Sequence, residues 1–157
     1  MRPNLFPSPP LSSLTSVSVV YSGTHQALFL VTGDGVIVVD NPASLAINMQ
    51  YAIGNVTDEP VRKFVYSHSH NDHVGGAGIF DRGEGEVEFI AHEETDALLR
   101  AVPHNSNSSF TRPMPSTTFQ NSTNISLGNQ TVKLDYYGSN HQPGKLASAF
   151  IPVSTYN

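Results

Sequence analysis

Three histidines and an aspartate stand close together directly after an apolar run, and this arrangement limits the possible folds more than any other feature of the chain. The run Val61 to Tyr66 has the β-branched and aromatic composition of a buried strand. The segment His68–His73, with the sequence HSHNDH, begins where that strand has ended. A fold for this chain must therefore bring the cluster to a strand end, on a loop that leads into a helix.

The side chains of this cluster are the donor types of a metal site. Zinc binds imidazole nitrogen and carboxylate oxygen at about 2.0–2.2 Å, and a catalytic zinc site keeps one position open for water. His68 and His70 are two residues apart and can point to the same side of an extended segment. His141 follows a later predicted strand and can complete a three-histidine set, while Asp72 and His73 face a neighbouring position.

The remaining pattern is typical of an α/β fold. Short β-branched runs predict strands at Val17–Tyr21, Ala27–Thr32, Val36–Asp40, Val61–Tyr66, Val87–Ala91, Ile125–Leu127 and Thr131–Tyr137. Helical spacing of apolar residues predicts helices at Ser44–Ile53 and Glu93–Ala101. Ser44 is the predicted N-cap of the first helix, and Gly54 is its predicted stop. Residues 103–122 lack periodicity and predict a long surface loop of the kind that often borders an active site.

Composition excludes several classes of site and partner. The chain has no cysteine, so thiolate ligands, disulfides and a cysteine nucleophile are ruled out. A net charge of −5 with only 8 Lys and Arg gives no electrostatic footprint for nucleic acid, and we predict no such partner. No run of about 18 apolar residues occurs, so no membrane span is predicted.

The sequence leaves the localisation open. The first residues contain several prolines, and their apolar stretch is interrupted by serines, which makes a poor secretory signal. Asn-x-Ser/Thr sequons have a meaning only in a secreted protein, and in a chain rich in these residues several arise by chance. They begin at Asn55, Asn107, Asn121, Asn124 and Asn129.

The metal-type motif resembles that of a known family. The pattern H-x-H-x-D-H after a strand, an aspartate closing the earlier strand before Asn41-Pro42, and a downstream G-x-N-H-x-x-G are similar to the metallo-β-lactamase superfamily. The resemblance covers residues 16–144. The Gly75-Gly76 pair after the motif also fits, and it lets the following helix start close to the metal loop.

This resemblance implies an α/β fold of the αββα sandwich type and a zinc-dependent hydrolase. A hydroxide on the zinc would attack an ester, amide or lactam carbonyl of a small-molecule substrate. Asp72 would orient that nucleophile or ligate a second zinc. Asp40 would stand behind the ligands, although its place before Asn41-Pro42 also suits a simple turn residue. The implied first-zinc ligands are His68, His70 and His141, and the implied second-zinc ligands are Asp72 and His73.

The same resemblance implies that part of the family's site is missing. In the family a second half follows, with an aspartate that bridges both metals and a late histidine, whereas residues 145–157 contain neither residue type. We therefore expect residues 1–15 to be a flexible segment and residues 16–157 to form only the N-terminal half of the sandwich. One zinc site would be complete and the second incomplete, and the exposed sheet face would favour self-association. The alternative function is a truncated, non-catalytic zinc-binding fragment.

Three histidines and two tyrosines outside the motif are interpreted without a role in metal binding. His25, His92 and His104 have no motif around them, and we interpret them as ordinary surface or loop histidines. Tyr136 and Tyr137 end a predicted strand, so one is expected to pack in the core and the other to be exposed.

Overall fold

The computed structural model describes residues 17–22, 25–81, 83, 86–102 and 112–152, which form two β-sheets and three α-helices. The predicted flexible segment 1–15, His104 and Asn107 lie outside these residues. The strands are β1 (Val17–Ser22), β2 (His25–Val31), β3 (Val36–Val39), β4 (Val61–Val65), β5 (Glu88–His92), β6 (Thr117–Phe119), β7 (Ser122–Leu127), β8 (Gln130–Asp135) and β9 (Ala147–Pro152). The helices are α1 (Ile47–Gly54), α2 (Asn71–Val74) and α3 (Glu93–Ala101).

The larger sheet contains six strands in the order β1-β2-β3-β4-β5-β6. The first three strands are antiparallel, whereas β3, β4, β5 and β6 run parallel to one another. The ends of β3, β4 and β5 therefore meet at one side of the sheet, which we call the carboxyl edge. Because β2 is antiparallel to β3, the start of β2 reaches this edge too.

The central strands are buried on both faces, as expected of parallel strands in an α/β fold. In β3, Val38 belongs to the same buried cluster as Met49 of α1, whereas Val39 belongs to the cluster that contains Val132 and Leu134 of β8. Each such side chain contributes about 1.5–3 kcal/mol when fully buried. The helices thus cover one face of the larger sheet, and the antiparallel sheet β7-β8-β9 covers the other.

This second sheet corrects the expectation that the larger sheet exposes an apolar face. Ile37, Val65 and Ile90 in the middle of that face are buried in one cluster with the second sheet. Among the described residues of this face, the exposed large side chains lie towards the edge strand β1, where Val17 and Val19 are each 46% exposed. Self-association through this face remains a prediction, and it would have to use the β1 edge.

The first helix begins later than the sequence predicted. Leu45 and Ala46 donate backbone hydrogen bonds to the carbonyl of Pro42, so a turn precedes the helix and Ser44 is not its N-cap. Ala46 takes the N-cap position without a side-chain cap. Gly54 is the last helical residue rather than the stop, because Asn55 forms the C-cap. The predicted helix Glu93–Ala101 is confirmed as α3.

Long-range pairing also changes the predicted loop at 103–122. Residues 103–111 lie outside the described part of the chain, but Thr117–Phe119 pairs with β5 and Ser122 begins β7. Strand β9 was not predicted, and it pairs antiparallel with β8. Within the described residues, no helix combines the length and hydropathy needed to cross a membrane.

Candidate metal centre

Three histidine side chains converge at the carboxyl edge. His68 and His70 follow β4, and His141 lies on the loop between β8 and β9. The ring centroids of His68 and His70 are 4.8 Å apart, those of His70 and His141 are 5.1 Å apart, and those of His68 and His141 are 5.6 Å apart. His141 Nε2 lies 3.3 Å from His70 Nδ1. One potential ligand atom from each ring lies within 4.8 Å of the others, close enough to hold a single ion.

A chain of hydrogen bonds determines which nitrogen His68 offers. The Ser67 hydroxyl donates to Asp40 Oδ2 at 2.6 Å, and this uses its one proton because an ionised carboxylate can only accept. His68 Nδ1, 2.9 Å from Ser67 Oγ, must then be the donor to that oxygen. The lone pair of His68 is therefore on Nε2.

His68 Nε2 is buried and has no hydrogen-bond partner among the described residues. The side chain is only 1% exposed, so bulk solvent does not reach the ring. Burial, followed by the neighbouring His73, His70 and His141, lowers the pKa of His68 to about 4. The ring is neutral near pH 7, which is the form that binds metal. A buried acceptor without a partner costs about 1–3 kcal/mol, and a metal ion would relieve this cost.

Two side chains tie the loops that carry these histidines to each other. Gln142 follows His141, and its Oε1 accepts a hydrogen bond from the backbone N–H of Ser69 at 3.2 Å. The same amide donates through Nε2 to Ser69 Oγ at 2.9 Å. Ser69 stands between His68 and His70, so the pair of bonds fixes His141 relative to the other two histidines.

The start of α3 holds the far end of the His141 loop. Thr95 Oγ1 donates to the carbonyl of Gly144 at 3.1 Å. Gly144 has φ +78°, and a Cβ there would stand 2.4 Å from Thr95 Oγ1, so the contact requires glycine. Tyr136 donates its hydroxyl to Glu94 Oε2 at 2.5 Å on the other side of the loop.

Asp40 stands behind the ligands, as the family resemblance implied. It is 5% exposed and has φ +60°, a left-handed conformation that aspartate tolerates better than most residues. Its carboxylate accepts from the backbone and hydroxyl of Ser67, and from His73 Nδ1 at 3.1 Å. The hydrogen bond to Asp40 raises the pKa of His73, whereas partial burial lowers it.

A second set of potential ligand atoms, from Asp40, His68 and His73, also lies within 4.8 Å. We do not interpret it as a metal site. Both oxygens of Asp40 already accept hydrogen bonds, and His73 uses Nδ1 to reach them. A carboxylate that orients metal-binding imidazoles through their other nitrogens is a common supporting element of zinc sites. The Asp40 carboxylate therefore lies where it can orient these imidazoles.

Asp72 lies on α2 at the open side of the centre. Its carboxylate is half exposed, and Oδ2 lies 3.1 Å from Nε2 of His25 at the start of β2. Desolvation raises the pKa of Asp72, but hydrogen bonds from its own backbone and from His25 outweigh this, and the net shift is downward. His25 was interpreted as an ordinary histidine, and the structure brings it to the centre instead.

The interpretation of His92 as a surface or loop histidine is wrong. His92 is 2% exposed and ends β5, where its Nδ1 accepts from the backbone N–H of Glu94 and caps α3. Its Nε2 lies 2.5 Å from the carbonyl oxygen of Gln120. Its ring packs on Tyr136 at a centroid distance of 3.9 Å. The expectation for the tyrosines is confirmed for Tyr137, which is 81% exposed, but not for core packing, because Tyr136 is only half-buried and lies outside both hydrophobic clusters.

These observations define a class of two-sheet α/β proteins with a histidine-based candidate metal centre at the carboxyl edge of the larger sheet. The chain belongs to the metallo-beta-lactamase superfamily, whose sequence model matches residues 21–149. A comparison with curated proteins finds no significant match.

Solved structures with a similar fold are metallo-beta-lactamases by name. The subclass B3 enzyme BJP-1 of Bradyrhizobium japonicum aligns with TM-score 0.71 at 18% identity, covering 87% of this chain and 54% of that chain. The metallo-beta-lactamase from Pontibacter korlensis aligns with TM-score 0.68 at 21% identity, covering 90% and 65%. Native FEZ-1 from Legionella gormanii aligns with TM-score 0.65 at 16% identity, covering 80% and 51%. The chain thus spans about half to two thirds of the length of these structures.

Proposed function

We propose that this chain carries the first zinc site of a metal-dependent hydrolase that acts on an ester, amide or lactam bond. The observation that carries the proposal is the buried, partnerless Nε2 of His68 beside the rings of His70 and His141. Three nitrogen donors with the fourth position open is the ligand arrangement of catalytic zinc sites. Family membership supports the same reaction class, and the solved structures of similar fold carry a lactamase name.

In such a site, some of these residues would bind the ion and others would orient the residues that bind it. His68, His70 and His141 would hold the zinc, which supplies the Lewis acidity that acidifies water near neutral pH and polarises a carbonyl. Asp40 and Ser67 keep the lone pair of His68 on Nε2.

Asp72 is the candidate catalytic residue beside this site. Its carboxylate is 57% exposed, so it can reach a substrate or a water molecule from the solvent side. Its lowered pKa keeps it ionised near neutral pH, where it can accept a proton from an attacking water. A small-molecule substrate fits this open position better than nucleic acid, given the net charge of −5.

The test is hydrolysis of a chromogenic lactam and of an activated ester by the zinc-loaded chain. We expect turnover that a chelator removes and added zinc restores, and that His70→Ala eliminates. Asp72→Asn should retain the first zinc and lose turnover. Zinc binding without turnover of either substrate class, in a folded chain, would contradict the hydrolase and support the alternative of a non-catalytic zinc-binding protein.

A further inference from the structure

We propose that Thr95 and Glu94, at the start of α3, are positioning residues for the candidate ligand His141, a role that rests on the proposed function and extends it. The ligand sets implied by the metal-type motif contain no residue of α3. The helix nevertheless contacts both ends of the segment 136–144, which carries His141 and which we call the His141 loop. The position of this loop relative to the other two histidines is therefore set from α3 as well as from the metal motif.

His141 differs from His68 in how its ring is held. The ring of His68 is buried and is oriented by the hydroxyl of Ser67. His141 is exposed, and among the described residues the one side-chain hydrogen bond of its ring is the contact of 3.3 Å with His70, which is itself a candidate ligand. Within the same residues, no carboxylate or hydroxyl orients the imidazole of His141. Its place in the centre therefore depends on the backbone of the His141 loop.

Thr95 fixes the end of the His141 loop. Its side chain is completely buried, and Oγ1 donates to the carbonyl of Gly144 at 3.1 Å. A Cβ on Gly144 would lie 2.4 Å from that Oγ1 and 2.7 Å from the backbone nitrogen of Thr95, so the loop runs directly against the helix. Removing the hydroxyl leaves this carbonyl without its partner in a buried place, and the loss destabilises the observed backbone position.

Glu94 fixes the beginning of the His141 loop. The Tyr136 hydroxyl donates to Glu94 Oε2 at 2.5 Å, and the ring of Tyr136 packs on His92 at a centroid distance of 3.9 Å. His92 in turn accepts the backbone N–H of Glu94 at Nδ1. The backbone N–H of Tyr136 donates to the carbonyl of Asn121 at 2.7 Å. Tyr136 is thus held by both its side chain and its backbone before the chain reaches His141.

Two fixed ends limit the freedom of the exposed ring between them. The His141 loop is also joined to Ser69 by Gln142, so its path is determined at three points. A ligand that is ordered before binding raises affinity, because the entropy of ordering it is not lost when the ion binds. Loosening either end should therefore weaken metal binding through His141 and leave the other two donors unchanged.

The experiment compares the zinc affinities, measured by competition titration, of variants at two buried threonines. Thr95→Val removes the hydroxyl and nearly keeps the shape of the side chain, and we expect about a 10–100-fold loss of zinc affinity. Thr95→Ser keeps the hydroxyl and should recover most of this loss. The control is Thr32→Val, because Thr32 is 2% exposed and its Oγ1 likewise donates to a glycine carbonyl, that of Gly35 at 2.8 Å. This turn joins β2 to β3 at the opposite edge of the sheet, so the control should lose stability and keep its zinc affinity.

A double-mutant cycle with His141→Ala separates positioning of the ligand from a general effect on the fold. If Thr95 acts through His141, adding Thr95→Val to His141→Ala should change the residual zinc affinity by no more than about twofold. Tyr136→Phe removes the hydrogen bond to Glu94 and should show the same pattern, with a smaller loss of about tenfold in the chain that retains His141.

The outcomes separate this proposal from the first site itself. Equal zinc affinities in folded Thr95→Val and Thr32→Val would overturn it, as would a loss in Thr95→Val that persists in full when His141 is replaced. A loss of the same size in Thr95→Ser would also overturn it, because the hydroxyl would then not be the cause. An unmodified chain that binds no zinc would overturn the first site and this proposal with it, whereas the other outcomes leave the first site intact.

Discussion

Two buried histidines at the ends of neighbouring strands differ in their hydrogen bonding. His68 follows β4 and His92 ends β5, and they are 1% and 2% exposed. Both nitrogens of His92 are satisfied, by the carbonyl of Gln120 and the backbone N–H of Glu94. Within the part of the chain that the structure describes, His68 has a hydrogen-bond partner only at Nδ1.

This difference shows that burial and strand position alone do not separate a proposed metal ligand from a structural histidine. Buried polar atoms in folded proteins are nearly always hydrogen-bonded, and an exception calls for an explanation. The hydrogen bonds of His92 are structural, because they join it to the start of α3 and to the carbonyl of Gln120. For His68 the exception at Nε2 indicates a ligand that the protein atoms do not supply.

The largest expected effect is loss of zinc on substitution of His68. His68→Asn removes a donor that points into the centre, and we expect no zinc to remain bound at the first site after dialysis. His92→Asn should keep that zinc, because the ring of His92 contacts Gln120 and Tyr136 instead of the ligands. Metal analysis of both purified proteins tests this. Zinc retained by His68→Asn at the first site would contradict the proposed difference between the two histidines.

In the zinc-free fold, the larger loss of stability is expected on substitution of His92 rather than of His68. His92→Ala removes a helix cap, worth about 1 kcal/mol, and leaves the Gln120 carbonyl without its partner at a cost of about 1–3 kcal/mol. We expect the free energy of unfolding in urea to fall by about 2–4 kcal/mol. His92→Asn can restore the cap and should recover about 1 kcal/mol of this loss. Equal stabilities for the two variants would show that the cap contributes nothing.

A smaller effect is expected from the hydroxyl that sets the tautomer of His68. Ser67→Ala breaks the link between Asp40 and His68 Nδ1, and outer contacts of this kind contribute about 10–100-fold to metal affinity. Zinc titration should show a loss in that range. Ser116→Ala is the control, because Ser116 Oγ bonds only to the backbone of Phe89, away from the centre. Unchanged zinc affinity in Ser67→Ala would refute the tautomer argument.

The smallest effect concerns the contact between the two ligand loops. Gln142→Ala removes both hydrogen bonds to Ser69, and we expect about a tenfold loss of zinc affinity because His141 gains freedom. Gln50→Ala removes a comparable amide bond, to the carbonyl of Ile79, and should leave zinc affinity unchanged. Similar zinc affinities for these two variants would mean that the loop around His141 is held by Thr95 and Tyr136 alone.

The sequence predicted the first site better than its surroundings. The motif at His68–His73 is local, and it follows a strand that periodicity identifies, so its place at a strand end could be predicted. His141 lies between Gly138 and Gly144, directly after a predicted strand, so its place at a strand end could be predicted too. The structure brings these ligands together, while the chemistry assigned to them remains a prediction.

His25 and His92 were missed because their partners lie far away in the sequence. His92 meets Gln120 through the pairing of β5 with β6, and short strands of this kind have weak local signals. Two signals were nevertheless present. His92 directly precedes Glu93 and Glu94, where a helix cap is expected. Counting back along the hairpin from Asp40 places His25 at the same edge of the sheet.

The central claim is that His68 binds zinc through Nε2 together with His70 and His141. The most direct test is a crystal structure of the zinc-loaded chain with anomalous diffraction at the zinc absorption edge. We predict a peak about 2.0–2.1 Å from His68 Nε2 and at the same distance from one nitrogen each of His70 and His141. A zinc-loaded crystal with no peak at this position, or with His68 bound through Nδ1, would contradict the account.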